Sequence, residues 1–446
     1  MKILLISPVY QVDKPSQELL TLPALSLHII ASLTPPEHEV KIIEEEVKLT
    51  DTNEDCDLVG ISCYTANIRR CYQLADKFRA RGIPVVLGGI HPTVMPDEAA
   101  QHADSVVIGE AEKTWDILLE DLKRGKLKKV YHDPYPNLNN FIELKTRKPR
   151  LSHGFGVLPA ETSRGCPYTC DFCAVPVHYG RKQRHRPVEH VIRDLAESGG
   201  KRFFFVDDNI MGDPRYAREL ITQMIPLNIK WAGQSSIKVI QKNPDLLDLA
   251  YRSGCAGLFF GLETISHSSL KTLGKSIRDV NEIAETIRMI RDSGIYFYSG
   301  MIFGFDSDTE SVFDDTLEFI QKNKIGSIGI NILTPYPGTP LFAKLQAEGR
   351  IISTNWDDYN FIWGRVVYQP KNFTPEKLFE ETLRIKMETA SFGKTIERMH
   401  WRHGFYHMAI NYGMYREARL IQKHHMKRTA EAGTNPIPNE FIMNLE

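Results

Sequence analysis

The stretch Glu161-Thr-Ser-Arg-Gly-Cys-Pro-Tyr-Thr-Cys-Asp-Phe-Cys173 decides how the rest of the chain is interpreted. Its three thiols, Cys166, Cys170 and Cys173, lie within eight residues, although the 446-residue chain contains only seven cysteines. A glycine and a proline flank the first thiol and favour a loop that turns its sulfurs inward. Because thiolates bind soft metals and iron-sulfur clusters, the spacing predicts a site of that kind in this loop.

From residue 157, strand and helix patterns alternate along the chain on both sides of the three cysteines. Six short apolar segments are predicted as strands, separated by stretches with helical periodicity. Six strand and helix units in about 180 residues are too few for an eightfold barrel, so we predict a partial parallel (β/α)6 barrel over residues 151–345. The predicted strands are 160–163, 203–207, 230–234, 257–262, 296–302 and 327–333, and the predicted helices are 188–198, 214–224, 245–252, 277–292 and 309–323.

Polar residues stand at the carboxyl ends of these predicted strands, where the catalytic groups of parallel barrels lie. Asp207, Asp208 and Asn209 end the second strand. Gln234 ends the third strand and Glu263 the fourth, so all five are candidate ligand contacts. For the first three, a turn or a helix cap is an open alternative, because strand-to-helix junctions favour these residue types. Glu263 stands among apolar residues and needs a partner.

The first 125 residues contain a separate alternation of short apolar runs and helical stretches. This pattern predicts a doubly wound α/β domain of the flavodoxin or Rossmann type, with a parallel sheet. Ligands of such sheets bind beyond the carboxyl ends of the strands. Adjacent glycines at such an end permit a close approach. The candidate contacts there are Thr65, Gly88, Gly89, His91 and Gly109.

Two further regions complete the predicted domain organisation. Residues 126–150 contain several prolines and asparagines and little periodicity, which indicates a linker. Residues 346–446 are predicted to be mainly helical, with helices over 375–390 and 408–422. Thr374 is the predicted cap of the first of these helices.

The C-terminal region is rich in aromatic, basic and histidine residues, notably in 399–408 and 424–428. Four interpretations of these residues are open. They form a lid over a hydrophobic substrate, a peripheral membrane patch, a metal site made of histidines, or a helical subdomain that packs its aromatic side chains against the barrel mouth.

Composition limits the class of protein. The formal net charge is -1 and 25% of the residues are charged, so no basic field favours nucleic acid. Pro8 interrupts the first apolar run before it reaches signal-peptide length, and no segment has the ~20 apolar residues of a membrane span. Sparse, odd-numbered cysteines favour a reducing compartment. We therefore expect a cytoplasmic protein whose membrane contact, if any, is peripheral.

The Cys-x3-Cys-x2-Cys spacing, with Phe172 directly before the third thiol, resembles the signature of the radical S-adenosylmethionine (radical SAM) superfamily. The resemblance implies that the three thiolates hold three irons of a 4Fe-4S cluster and that the fourth iron binds S-adenosylmethionine (SAM). It also implies reductive cleavage of SAM to methionine and a 5'-deoxyadenosyl radical. A zinc site completed by His178 or His185 is the alternative for these thiols.

The resemblance implies further roles, position by position. The backbone at Phe172 would meet the adenine of SAM, and residues 207–209 would meet its methionine amino group. Glu263, in the segment Gly261-Leu-Glu-Thr264, matches a Gly-x-Glu-Ser pattern that is associated with the polar groups of the cofactor. Thr264 stands here in place of the usual serine.

The segments 84–92 and 102–110 resemble the cobalamin-binding domain that precedes the barrel in a large radical SAM branch. The Asp-x-His-x-x-Gly segment that supplies a cobalt-ligating histidine in many cobalamin proteins is absent from the sequence. The resemblance therefore implies cobalamin bound without a histidine ligand. A vestigial domain that holds substrate or only supports the barrel is the alternative.

The resulting prediction is a radical SAM enzyme that functionalises an unactivated carbon, with cobalamin-dependent C-methylation as the favoured outcome. Its implied partners are an organic small-molecule or lipid-like substrate and a reductant such as flavodoxin or ferredoxin. Radical oxidation, cyclisation or rearrangement without methyl transfer is one alternative, and a non-catalytic protein that binds a metal or cobalamin is another. The remaining thiols, Cys56, Cys63, Cys71 and Cys255, are predicted to be buried and inert.

Overall fold

Two six-stranded sheets form the framework of the chain. The computed structural model describes residues 1–9, 22–133, 135–136, 138, 156–266, 269–270, 280–360 and 365–431. All four predicted segments have parts outside the described residues. These parts are 10–21 of the N-terminal domain, most of the linker (134, 137 and 139–150), 151–155, 267–268 and 271–279 of the barrel domain, and 361–364 and 432–446 of the C-terminal region.

The N-terminal sheet is covered by helices on both faces. Its strands are β1 (Lys2–Ser7), β2 (Glu39–Glu44), β3 (Leu58–Cys63), β4 (Val85–Gly89), β5 (Ser105–Gly109) and β6 (Val130–Asp133), and its helices are α1 (Leu25–Leu33), α2 (Ile68–Ala80), α3 (Ile90–Val94), α4 (Pro96–His102) and α5 (Trp115–Lys123). The strand order is β2-β1-β3-β4-β5-β6, and every neighbouring pair is parallel. Apolar side chains are buried on both faces, which explains the continuous apolar runs of these strands. The predicted doubly wound fold is confirmed, but its boundary at residue 125 is wrong, because β6 lies in the predicted linker and pairs with β5.

The second sheet forms the predicted partial barrel. Its strands in chain order are β7 (Val157–Ala160), β10 (Arg202–Phe205), β11 (Lys230–Ser235), β12 (Cys255–Glu263), β13 (Tyr296–Phe303) and β14 (Ser327–Ile332), while β8 (Ser163–Arg164) and β9 (Arg184–His185) form a separate antiparallel pair. The six barrel strands pair in parallel and in sequence order, which confirms the predicted (β/α)6 topology. The predicted first strand, 160–163, was placed three residues too late, because Ser163 and Arg164 pair with β9 instead.

Helices cover the outer face of this barrel. They are α7 (Val188–Glu197), α8 (Pro214–Met224), α9 (Ile237–Lys242), α10 (Asp245–Arg252), α11 (Val280–Asp292), α12 (Val312–Lys322) and α13 (Pro340–Ala347), while α6 (Val175–Tyr179) follows the three cysteines and faces the N-terminal domain. Because strand side chains alternate, β12 buries Leu258, Phe260 and Leu262 under these helices. Phe259 and Glu263 are half-buried on the opposite face, toward the barrel interior. The alternation thus places the predicted acidic residue on the inner face.

Between residues 375 and 431 the C-terminal region is mainly helical, with α14 (Pro375–Ala390), α15 (Phe392–Arg398) and α16 (Gly404–Glu431). Thr374 Oγ1 accepts a hydrogen bond from Lys377 N at 3.1 Å, as expected of an N-cap. The segment before α14 is different, because Trp356 and Tyr359 pack into the core of the N-terminal domain. Of the helices that the structure describes, none has both the length and the apolar character that a membrane span needs.

Candidate functional site

The three-cysteine loop lies between β8 and α6, just beyond the carboxyl end of the first barrel strand. Cys173 N donates to Cys170 O at 3.2 Å, which closes a turn between two of the thiols. Gly165 enters the loop with φ +89°, and a Cβ there would lie 2.8 Å from Lys182 O, so only glycine fits. Gly165 N donates to Asp208 Oδ2 at 3.2 Å. This bond ties the loop to the end of β10.

The other end of the loop is held by the last two barrel strands. Leu341 N, at the start of α13, donates to Asp171 O at 3.0 Å. The ring of Phe172 meets that of Phe305, beyond β13, edge to face, with 6.2 Å between the centroids. The predicted adenine contact at Phe172 therefore lies at the mouth of the barrel.

The donor set of this loop fits a cluster better than a single metal ion. All three thiols are half-buried and none forms a disulfide. In the described part of the chain, no three His, Cys, Asp or Glu side chains are grouped to hold one metal ion, whereas zinc needs four ligands within about 2.3 Å. His185 instead packs on the ring of Tyr216, with 4.3 Å between the centroids. Burial raises the pKa of Cys173 to about 12, so this thiol needs a cation such as iron to become a thiolate.

The Asp207 carboxylate is held by hydrogen bonds from neighbouring residues of the protein. It is fully buried, and it accepts hydrogen bonds from Thr162 Oγ1 at 2.6 Å and Ser163 Oγ at 2.7 Å. Thr162 N also donates to this carboxylate. Burial raises the pKa of Asp207 to about 6. These bonds tie β10 to the segment between β7 and β8, so the environment matches the turn alternative more closely than a ligand contact.

Two unpartnered polar atoms lie at neighbouring strand ends. Asn209 and Ser235 are buried, and within the described part of the chain neither Asn209 Oδ1 nor Ser235 Oγ has a hydrogen-bond partner. Ile210 N donates to Gln234 O at 2.9 Å, which brings the two strand ends side by side. Buried polar groups normally have partners, so the pair fits the polar groups of a bound ligand. Ser235 follows Gln234 at the same predicted strand end, but it was not among the predicted ligand contacts.

Glu263 has a strained backbone at the end of β12. Its φ is +66°, and the register with β13 shifts between Gly261 and Glu263. A Cβ on Gly261 would collide with the Glu263 carboxylate, which therefore lies folded back over this glycine. Strain of this kind is typical of functional sites, because the surrounding structure must maintain it. The geometry gives a physical reason for the Gly-x-Glu pattern.

A cavity of about 500 Å³ lies between the carboxyl ends of the N-terminal sheet and the cysteine loop. Three of the predicted glycine contacts line it on the side of the sheet. Gly89 has φ +105°, and a Cβ there would lie 2.5 Å from Cys63 O, so this position requires glycine. Asp208, whose pKa burial raises to about 7, lines the barrel side. The three glycines are Gly88, Gly89 and Gly109.

Thr65 and His91 are also predicted contacts, but they do not line this cavity. His91 is fully buried, with Nδ1 3.2 Å from Thr65 Oγ1 and Nε2 3.4 Å from Glu98 Oε1. Trp356 Nε1 donates to Glu98 as well. Burial lowers the pKa of His91, which favours the neutral ring. The structure uses these side chains to join the N-terminal domain to the segment before α14.

A buried ion-pair network joins the two domains beside the cavity. Arg164, which directly precedes Gly165, pairs with Glu110 at the end of β5, with Glu112 at 2.6 Å and with Glu161 at 3.0 Å. Arg184 pairs with the same Glu110. Burial works against the charge of Arg164, but the three carboxylates hold its pKa well above the usual range. The network fixes the cysteine loop against the N-terminal sheet.

Comparisons with known proteins agree with this architecture. Residues 21–119 match the B12 binding domain family, and residues 160–320 match the Radical SAM superfamily. Bacteriochlorophyllide d C-12(1)-methyltransferase of Chlorobaculum tepidum is 31% identical over 412 residues, which cover 89% of each chain. Bacteriochlorophyllide d C-8(2)-methyltransferase of the same organism is 30% identical over 356 residues, covering 75% of this chain and 79% of its own.

A solved structure has the same fold. The radical S-adenosylmethionine methyltransferase TsrM from Kitasatospora setae, with cobalamin and a [4Fe-4S] cluster bound, superposes with a TM-score of 0.66. The match has 14% sequence identity and covers 94% of this chain and 99% of that chain. The fold and the three-thiol loop thus define a radical SAM enzyme. More narrowly, the chain belongs to the B12-binding radical SAM family, whose cofactors are a 4Fe-4S cluster, SAM and cobalamin.

Proposed function

We propose that this chain is a cobalamin-dependent radical SAM methyltransferase that transfers a methyl group to a carbon atom of a small organic substrate. The observation that carries the proposal is the cavity of about 500 Å³, because the B12-type domain and the cysteine-loop side of the barrel both line it. The two bacteriochlorophyllide methyltransferases, which are similar over most of this chain, support a methyl-transfer outcome.

The cysteine loop and the strand ends would hold two of the cofactors. Cys166, Cys170 and Cys173 would bind the cluster, and the unpartnered atoms Asn209 Oδ1 and Ser235 Oγ would bind polar groups of SAM. When bound, the cluster and SAM supply a 5'-deoxyadenosyl radical, and cobalamin supplies a transferable methyl group. The glycines of the N-terminal sheet ends leave room for the broad ring of cobalamin.

The barrel interior offers an apolar surface for the substrate. Phe259 and Tyr298 meet edge to face on its inner side, with 5.1 Å between the ring centroids. A Cβ on Gly300 would lie 2.8 Å from Phe259 Cζ, and one on Gly329 would lie 3.0 Å from Tyr298 Oη. The two glycines thus allow both rings to lie across the interior. Such a surface excludes water from a reactive radical and suits an organic molecule with a flat or apolar part.

We further propose that the electron for SAM cleavage comes from a reductant such as flavodoxin or ferredoxin, and that the protein acts in the cytoplasm. All seven cysteines lie in the described residues and none is in a disulfide, which suits a reducing compartment.

Anaerobic turnover with methyl-labelled SAM tests the proposed function. The reconstituted protein is expected to form 5'-deoxyadenosine and to transfer the label to carbon in the product. Formation of 5'-deoxyadenosine with an unlabelled, oxidised or rearranged product would favour the alternative radical chemistry instead. A colourless zinc protein that leaves SAM intact would contradict both.

A further inference from the structure

Two C-terminal helices expose a continuous apolar surface. On α15 and directly after it, Phe392, Ile396 and Met399 recur at helical spacing and are 71%, 44% and 43% exposed. On α16, three aromatic side chains are more than 60% exposed, and Met399 Sδ reaches the beginning of this helix at Gly404. Exposed apolar patches of this kind usually mark an interaction surface. We call it the aromatic face and define it as Phe392, Ile396, Met399, Phe405, Tyr406 and Tyr412.

The beginning of α16, which carries three of the six residues of the aromatic face, packs at the amino ends of the last two barrel strands. The ring of Tyr296, which begins β13, contacts His403 and His407. Asn411 Nδ2 donates to Ser327 Oγ, which begins β14, at 2.8 Å. The cysteine loop lies at the opposite, carboxyl ends of the strands. For residues 399–408, the interpretation as a lid over the substrate and the placement at the barrel mouth are therefore wrong.

Positive charge accompanies the aromatic face. Between residues 392 and 431 the sequence has eight Lys and Arg but three Glu, although the whole chain has a net charge of -1. Of these eight, Arg398 is buried and Lys394 pairs with Glu397. Arg416, Arg419 and Lys423 are exposed and continue the outward stripe of α16 beyond Tyr412. Two copies of such a face would repel one another, whereas an anionic surface would attract it. Exposed aromatic rings beside Lys and Arg suit the headgroup region of a bilayer.

We propose that the aromatic face docks the protein on a membrane surface that contains anionic lipids. The rings enter the headgroup region, while the basic side chains of α16 pair with lipid phosphates. Docking in this way places the cysteine loop and the inter-domain cavity on the side away from the lipid. The proposal is independent of the reaction that the barrel catalyses.

Vesicle sedimentation of the purified, reconstituted full chain tests the proposal. The chain is expected to sediment with vesicles of phosphatidylcholine and phosphatidylglycerol, and to stay in solution with phosphatidylcholine alone. Arg416→Glu with Arg419→Glu should lower partitioning at least tenfold, since each basic residue near an anionic surface contributes on the order of fivefold. Phe405→Ser with Tyr406→Ser should lower it as well, and raised salt should release the wild type.

Matched variants separate docking from loss of fold. Ile117→Ser on α5 removes an apolar side chain of comparable exposure, 50%, from the N-terminal domain and should leave partitioning unchanged. All variants should keep the wild-type unfolding midpoint. Equal sedimentation with both vesicle types, or partitioning that neither double variant reduces, would overturn the proposal. A dimer that the Phe405→Ser, Tyr406→Ser variant dissociates would also overturn it, because the face would then join two copies of the chain.

Discussion

The conformations of Gly261 and Glu263, on the inner face of β12, depend on each other. The glutamate has φ +66°, and its carboxylate occupies the space that a side chain at position 261 would take. Each residue therefore depends on the other, and the strain is localised where the proposed SAM site lies. Gly257 lies on the same face of the same strand, but a Cβ there would make only an ordinary contact, 3.4 Å from Tyr296 Cβ.

Gly261→Ala is expected to displace the Glu263 carboxylate and to weaken SAM binding by roughly tenfold, which corresponds to about 1.4 kcal/mol. Calorimetric titration of the reconstituted protein with SAM measures the change. Gly257→Ala is the control and should bind SAM like the wild type. Equal affinities for all three proteins would show that Glu263 does not contribute to SAM binding.

Gly89 illustrates a different constraint, because its backbone and its surroundings both exclude a side chain. Gly89→Ala should lower the free energy of unfolding by about 1–3 kcal/mol through its backbone conformation, and by more through its overlap with Cys63 O. Gly82 has φ +77° with nothing near its missing Cβ, so Gly82→Ala isolates the backbone cost. Urea denaturation should rank Gly89→Ala as the more damaging change. The reverse order would contradict the close approach of β3 and β4.

Among the secondary structure elements, the cysteine loop depends on strands of both domains. Asp208 after β10 and the start of α13 hold its two ends, and the Arg164 network attaches it to β5 of the N-terminal sheet. Ion pairs this deeply buried contribute little net stability when complete, but removing one partner leaves the others uncompensated. The network therefore fixes geometry more than it adds stability.

Arg164→Met is expected to lower the free energy of unfolding by about 3–5 kcal/mol, because Glu110, Glu112 and Glu161 lose their shared cation. Adding Glu110→Gln should recover part of that loss, and urea denaturation of the two single variants and the double variant measures the coupling. Arg124→Met, which breaks an exposed pair with Glu120, should have no measurable effect. If the losses in free energy of unfolding of the two single variants add up to the loss in the double variant, the network does not couple the domains.

Over the whole molecule, local patterns predicted the fold well, while contacts between distant segments were not visible in the sequence. Both parallel sheets follow from apolar runs, and the bounds of α14 follow from Thr374 and Pro375. The Arg164 to Glu110 pair joins positions 54 residues apart, and Trp356 packs against a domain that ends more than 200 residues earlier. Strand-end position alone also did not reveal that Thr65 and His91 face away from the cavity.

The site was predictable at the level of motifs and less so at the level of single side chains. Spacing and context marked the three thiols and Glu263 as candidates, and their individual roles stay predictions. Asp207, Asp208 and Asn209 are adjacent in sequence but have different surroundings. The Asp207 carboxylate accepts hydrogen bonds from Thr162 and Ser163, and the Asp208 carboxylate accepts one from Gly165 N. The amide oxygen of Asn209 is unpartnered within the described residues. Only the tertiary structure distinguishes them.

The central claim is that separate halves of this chain bind an iron-sulfur cluster and cobalamin around one cavity. Iron and cobalt analysis of the anaerobically reconstituted protein tests it most directly. Wild-type protein should bind both, Cys170→Ala should lose iron but keep cobalamin, and Gly88→Leu, which fills the cavity, should lose cobalamin but keep iron. Wild-type protein that binds iron without cobalt, or a Gly88→Leu variant that binds cobalamin normally, would contradict the account.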